Sequence, residues 1–152
     1  MVTFRIAEAA DRDRIAELVD AAYAPWVPVL GGRKPRPMLD DHAARIARGE
    51  NVLVEADGRL LGVVAMVPEP EALHLFSIAV HPDAQGQGLL HAILEEAARR
   101  AQELGLGRLT LYTNALMEKN RAIYQHLGFA ETGIENGGGY TIVFMERPVR
   151  QP

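Results

Sequence analysis

Two stretches of the chain place residue types at spacings that suit chemistry. The first is His81-Pro82-Asp83-Ala84-Gln85-Gly86-Gln87-Gly88-Leu89-Leu90, which joins a predicted strand to a predicted helix. Glycine at 86 and 88 removes two Cβ atoms and permits unusual φ, so consecutive main-chain N–H groups can converge on an anion. The helix that follows adds the positive end of its dipole, and a pyrophosphate suits such a place. An ordinary strand-to-helix turn is the alternative. The second stretch runs from Met117 to Phe129 and contains Asn120 and Tyr124. Four residues apart on a helix, these two share a face. A phenol with pKa near ~10 stays protonated at neutral pH and can give its proton to a departing anion. The alternative is a tyrosine packed by its ring, with its hydroxyl bonded to backbone.

Better-known phosphate loops do not fit. A P-loop needs Gly-Lys-Ser/Thr, but Leu89-Leu90 follow Gly88. A dinucleotide fold needs three glycines and an acidic residue ending the next strand, where this chain has Asn114. The composition excludes more. There is no cysteine, hence no disulfide, thiolate metal site or cysteine nucleophile. Ser77 is the only serine and lies outside any Gly-x-Ser-x-Gly elbow. His42, His81, His91 and His126 share no metal-ligand spacing, so no metal is expected.

The elements that must hold these stretches follow from periodicity. The 152 residues, 48% apolar with net charge −4, suit a single domain over residues 1–152. The mild acidity argues against nucleic acid as a partner. No apolar run approaches the ~20 residues of a membrane span, and no export signal is visible, so a cytoplasmic protein is expected. Residues 2–6 alternate as a strand. From Asp11, a plausible N-cap, Ile15, Leu18, Val19 and Ala22 mark a helix face. A Pro- and Gly-rich loop over 24–38 precedes a short helix over 39–48. Strands over 52–56 and 60–67 flank Asp57-Gly58, a type I′ turn pair. Residues 73–80 form a strand buried on both faces. A helix then runs to Leu104 with a stripe of Leu90, Ile93, Leu94, Ala97, Ala101 and Leu104, and Gly105 stops it. A strand over 109–113, a helix over 118–127 and strands over 129–134 and 140–145 complete the chain, with Gly137-Gly138-Gly139 turning between the last two. A hairpin, one right-handed crossover and a late hairpin make a mixed α/β sheet.

Gln85-x-x-Gly88-x-Leu90 after a central strand, followed by Asn120-x-x-x-Tyr124-x-x-Leu127-Gly128-Phe129, resembles the GNAT superfamily of acetyl-CoA-dependent N-acetyltransferases. The resemblance covers essentially the whole chain. Tyr23-Ala24-Pro25-Trp26-Val27-Pro28 and the run from Leu111 to Met117 look like a small bacterial branch whose substrates are mostly unassigned. It implies a mostly antiparallel sheet with one splayed parallel pair, flanked by about four helices. It also implies acetyl-CoA as acyl donor, a small amine or peptide amine as acceptor, and no metal. Backbone groups of Ile78, Ala79 and Val80 would meet the pantetheine arm, with an N–H at Ile78 or Ala79 facing the oxyanion. The N–H groups of Gln85, Gly86, Gln87, Gly88, Leu89 and Leu90 would hold the pyrophosphate. Asn120 would hydrogen-bond the arm, and Tyr124 would protonate the leaving thiolate. Family members are often dimers, and nothing in this sequence fixes the oligomeric state.

One departure stands out. The family usually has Gly or Ala where Leu90 stands; a leucine there crowds the site unless it turns into the core. A non-catalytic acyl-CoA-binding or regulatory module is the alternative that Leu90 favours. A subunit whose pocket is filled, acting through protein contacts, is another. The reaction needs a neutral amine, and an alkyl ammonium is neutral in only about one molecule in 10³ at pH 7. His74, in the doubly buried strand, is the candidate base; a core histidine, Glu71 and a water chain are its rivals. For the acceptor, Tyr23, Trp26 and Met38 are candidates for an apolar wall, and Asp40 or Asp41 for attracting a cation.

Overall fold

The computed structural model describes residues 2–151. Four helices and seven strands follow in chain order: β1 (Thr3–Ile6), α1 (Arg12–Tyr23), α2 (His42–Ala47), β2 (Asn51–Ala56), β3 (Arg59–Pro68), β4 (Ala72–Val80), α3 (Leu89–Glu103), β5 (Arg108–Asn114), α4 (Glu118–His126), β6 (Ala130–Gly137) and β7 (Tyr140–Pro148). The hydrogen-bonded strand order is β1-β2-β3-β4-β5-β7-β6, a single seven-stranded sheet. β1–β2, β2–β3, β5–β7 and β6–β7 pair antiparallel, whereas β4–β5 is parallel. The mixed sheet expected from the sequence is therefore present. No helix among the described residues is long and apolar enough to cross a membrane.

The chain divides into two compact units. One takes the residues up to Met66 together with Phe76–Ile93; the other takes Val67–Leu75 and everything from Leu94 onward.

In the first unit, the β2–β3 hairpin turns at Asp57 (φ 52°) and Gly58 (φ 75°), the paired positive φ that a type I′ turn demands. Val52, Leu53, Val54, Val63, Val64 and Ala65 are buried along the two strands, and Ile15, Leu18 and Val19 of α1 are buried with them. Tyr23, rather than Ala22, completes the helix face. Asp11 precedes α1 but makes no side-chain cap to that helix. Its buried carboxylate accepts from the Glu8 N–H at 2.8 Å and from the Arg5 guanidinium at 2.9 and 3.0 Å. A charge removed from water is better matched by a guanidinium fork than by one exposed helix end. Gly62 on β3 lies tight against β4: a Cβ there would stand 3.1 Å from the Ala79 carbonyl oxygen.

In the second unit, Leu94, Ala97, Ala101, Leu109 and Val143 have no exposed surface. Truncating such a leucine to alanine costs about 2–5 kcal/mol. Leu104 corrects the expected stripe. The helix ends at Glu103, which frees residue 104 from the helical period, and its side chain is 56% exposed. The β4–β5 ladder carries four pairs, from Ala72↔Arg108 to Leu75↔Leu111, and β4 continues to Val80. β6 is exposed at all eight positions and pairs with β7.

Candidate active site

The site residues fall in both units, and each group is built by its own local structure. In the first unit, His81 donates its N–H to the Leu61 carbonyl at 2.8 Å, which fixes the phase of β4 against β3. Successive residues of a strand turn their main-chain groups to opposite edges. His81 and Ala79 therefore face β3, and the N–H and C=O groups of Ile78 and Val80 emerge along the other edge. Side chains of the same unit reach both carbonyls. The Tyr23 hydroxyl donates to the Ile78 carbonyl at 2.7 Å, with both residues buried. The Gln85 side-chain amide donates to the Val80 carbonyl at 3.2 Å from an exposed position.

After Val80 comes a 3₁₀ turn, Pro82–Ala84, whose Asp83 N–H is capped by His81 Nδ1 at 3.1 Å. Gln85, Gly86, Gln87 and Gly88 follow, all exposed, and α3 opens at Leu89. Gly86 (φ 79°) and Gly88 (φ 78°) both occupy the left-handed region, and a Cβ at either would meet nothing within 4 Å. Glycine is needed here for conformation, and the space over the loop is open. The first N–H groups of a 15-residue helix, with no acidic residue in its first turn, point out at the same end. Open main chain, donors and dipole fit a pyrophosphate. Leu89 is the buried leucine of this pair, and Leu90 is only half-buried, so it does not sink into the core as its place in the stripe suggests.

The acceptor candidates lie in the same unit. Trp26 and Met38 are half-buried, in the turns between α1 and α2. Asp41 is exposed and caps α2, accepting the Ala44 N–H at 3.0 Å. Arg45 of α2 lies 4.2 Å above the Phe76 ring centroid and is held by Asp40 at 2.5 Å and Glu50 at 2.9 Å. Hydrogen bonding from Arg48 holds the Glu50 carboxyl below the usual carboxylate range, against desolvation and with help from Arg45. Sequence reasoning missed this cluster, because its members come from α2, the segments flanking it, and β4.

In the second unit, α4 places Asn120 half-buried and Tyr124 buried, one turn apart. The Tyr124 ring meets Phe129 edge-on, with centroids 5.8 Å apart. Its carbonyl accepts the N–H groups of Leu127 and Phe129, closing the helix at Gly128 (φ 98°). His74 is buried on β4. Its Nδ1 stands 2.7 Å from Thr110 Oγ1, and its ring stacks on Tyr112 at 5.7 Å. Among the described residues no group of acidic or histidine side chains is arranged to hold a metal ion.

A seven-stranded mixed sheet with a glycine loop opening its long helix is the architecture of acyl-CoA N-acyltransferases. The acetyltransferase (GNAT) family model matches residues 13–129, and the chain belongs to that family. Mycothiol acetyltransferase of Paenarthrobacter aurescens is 35% identical over 106 residues, covering 66% of this chain and 31% of that protein. The chain spans less than half the length of the curated relatives it matches. Among solved structures, the ribosomal-protein-S18-alanine N-acetyltransferase from Escherichia coli superposes with a TM-score of 0.77 at 23% identity, covering 100% of this chain and 96% of that one. The PaiA N-acetyltransferase from Thermoplasma acidophilum, in complex with coenzyme A, gives 0.78 at 15% identity, covering 97% and 99%.

Proposed function

We propose that the protein is a cytoplasmic N-acetyltransferase that moves an acetyl group from acetyl-CoA to a primary amine by direct attack. The observation that carries this is the exposed loop with two left-handed glycines, Gly86 and Gly88, between β4 and the N-terminus of α3. Its N–H groups from Gln85 to Leu90 would hold the pyrophosphate. The main-chain edge of Ile78 and Val80 would receive the pantetheine arm, with the arm's amide taking the Val80 carbonyl in place of the exchangeable Gln85 amide. Ala79 would contribute through its peptide plane, since its own polar groups turn toward β3.

Acetyl-CoA supplies an activated acyl carbon and a leaving thiolate. In the transfer, the amine nitrogen bonds to that carbon, the C–S bond breaks, the thiolate takes the Tyr124 proton and a base takes the ammonium proton. With no cysteine in the chain, an acyl-cysteine step is excluded. Catalysis would come chiefly from holding the reactants together and from a preorganised oxyanion donor. His74 is the proposed base, supported by its burial and by Thr110, which fixes the ring orientation. Asn120, on the Tyr124 face of α4, would hydrogen-bond the arm. Tyr23, Trp26, Met38 and Asp41 remain proposed for the acceptor side.

Half-exposed Leu90 favours the second reading, an acyl-CoA-binding module without turnover. Calorimetric titration with acetyl-CoA, desulfo-CoA and NAD, followed by an amine panel, separates the readings. Binding of the coenzyme A compounds alone, with turnover, supports the enzyme; binding without turnover supports the module. No binding, with recovery in Leu90→Gly, overturns both.

A further inference from the structure

The strands of the second unit have one face under that unit's helices and one face outside them. Arg147 of β7 donates to Glu95 of α3 at 3.0 Å and to the Leu127 carbonyl, just after α4, at 3.4 Å. Arg121 of α4 holds Glu131 of β6, the ladder partner of Met145, at 2.8 Å. Both helices therefore lie over the face of Leu109, Leu111, Val143 and Met145, all buried. Side chains alternate along a strand, and paired residues share a face. The ladders match His74 to Thr110, Thr110 to Glu146 and Tyr112 to Phe144, so these five stand together on the other face. Tyr112 stacks on the His74 ring at 5.7 Å and meets Phe144 edge-on at 6.1 Å, and both Tyr112 and Phe144 are half-buried. Charge beside them is balanced. The Arg108 guanidinium lies 3.6 Å from the Glu146 carboxylate and 3.7 Å from that of Glu71. Glu135 is exposed on β6, two strands away from Tyr112.

We propose that Tyr112 and Phe144 are specificity-determining residues beside the base, and that the acceptor is a monoamine on a flat aromatic body, an arylalkylamine. The proposal rests on the transferase reading above, with His74 as base. Aromatic faces attract an ammonium group without a carboxylate. A substrate ring set edge-on or offset against them gains about twofold to tenfold beyond the effect of its buried area. An alkyl chain fills the same space and lacks that gain. A polyamine brings a second ammonium, which would find the carboxylates of Glu146 and Glu71 already matched by Arg108.

The test is steady-state kinetics with acetyl-CoA and four amines on the native protein and on Phe144→Ala. The amines are 2-phenylethylamine, 2-cyclohexylethylamine, n-butylamine and spermidine, compared at equal concentrations of neutral amine. Thermal melts show that both proteins are folded, and calorimetry shows that both bind acetyl-CoA. Should Phe144→Ala not fold, Phe144→Leu removes the flat ring and keeps apolar volume. In the native protein, kcat/KM for 2-phenylethylamine is expected to lead n-butylamine and spermidine by at least about tenfold. Its lead over 2-cyclohexylethylamine is expected to be at least about threefold. In the variant at least half of each lead is lost, through KM rather than kcat. A role confined to packing would lower all four rates together and keep their ratios. A smaller lead in the native protein, or leads mostly kept by the variant, overturns the inference. Turnover of none of the four, with another amine of a wider panel acetylated, overturns the inference alone. No turnover across the whole panel, or no binding of acetyl-CoA, overturns the transferase reading and the inference together.

Discussion

His74 and Thr110 are partners in the parallel ladder, and the imidazole Nδ1 lies 2.7 Å from the threonine hydroxyl oxygen. With Tyr112 stacked on the same ring, the histidine has its plane set by two neighbours. A base that accepts the ammonium proton works only while neutral, so acid switches it off and the rate falls on the low-pH side. His74→Ala is expected to flatten the acidic limb of the kcat/KM profile against pH. An unaltered limb assigns the proton to another group.

Tyr124→Phe keeps the edge-on packing against Phe129 and removes only the hydroxyl. Turnover should fall by about a hundredfold, in the range of a lost general acid, while acetyl-CoA affinity changes by less than about twofold. Steady-state kinetics beside calorimetry measures both. Equal turnover in the variant removes Tyr124 from the acid role.

Gly88→Ala tests the loop. The space around residue 88 is open, so the cost is conformational: φ of 78° in an L-residue, about 1–2 kcal/mol. Relief comes by rotating the peptide away from the conformation that aims its N–H groups. Affinity for coenzyme A should drop at least tenfold with only a modest fall in Tm. Unchanged affinity would show that these N–H groups do not hold the pyrophosphate.

Acid should loosen the first unit through Asp11 and Glu55. Hydrogen bonds from the Arg5 guanidinium hold both carboxyls below their usual range, against the desolvation that opposes ionisation. Folded pKa values that lie below the unfolded ones contribute stability above the unfolded values of about 4, and that stability is lost as pH falls through the folded ones. Asp11→Asn should therefore cost about 1–2 kcal/mol at pH 7, since Arg5 is partly exposed and solvent screens the pair. The gap to the native protein should narrow from pH 7 as the pH falls below the ordinary carboxylate range of about 4. Denaturant melts above and below that range measure it, and a gap independent of pH contradicts the charge argument.

Short-range patterns carried most of the fold. Asp57-Gly58 announces its hairpin because only residues tolerant of positive φ close that turn, and the apolar run of β4 announces a strand covered on both faces. The glycine loop and the Asn120/Tyr124 spacing are equally local. What sequence periodicity does not carry is where polar side chains find partners far along the chain. Asp11 reads as a helix cap but is drawn to Arg5. Asp41, a candidate charge for the acceptor, also caps α2. Tyr23 meets a main-chain carbonyl 55 residues away, and no side-chain pattern marks a carbonyl. Leu104 misleads because a stripe counted at helical intervals does not reveal that the helix stops one residue earlier.

Gly62 is not itself among the proposed ligand residues, yet it sets a tolerance for them. With 3.1 Å between a would-be Cβ and the Ala79 carbonyl oxygen, any side chain at 62 must push β4 aside by a few tenths of an ångström. The segment displaced carries Ile78 and Val80. The spacing of two adjacent strands thus acts as a gauge block for the main-chain edge, and an alanine one strand away would detune the edge without altering a single residue on it.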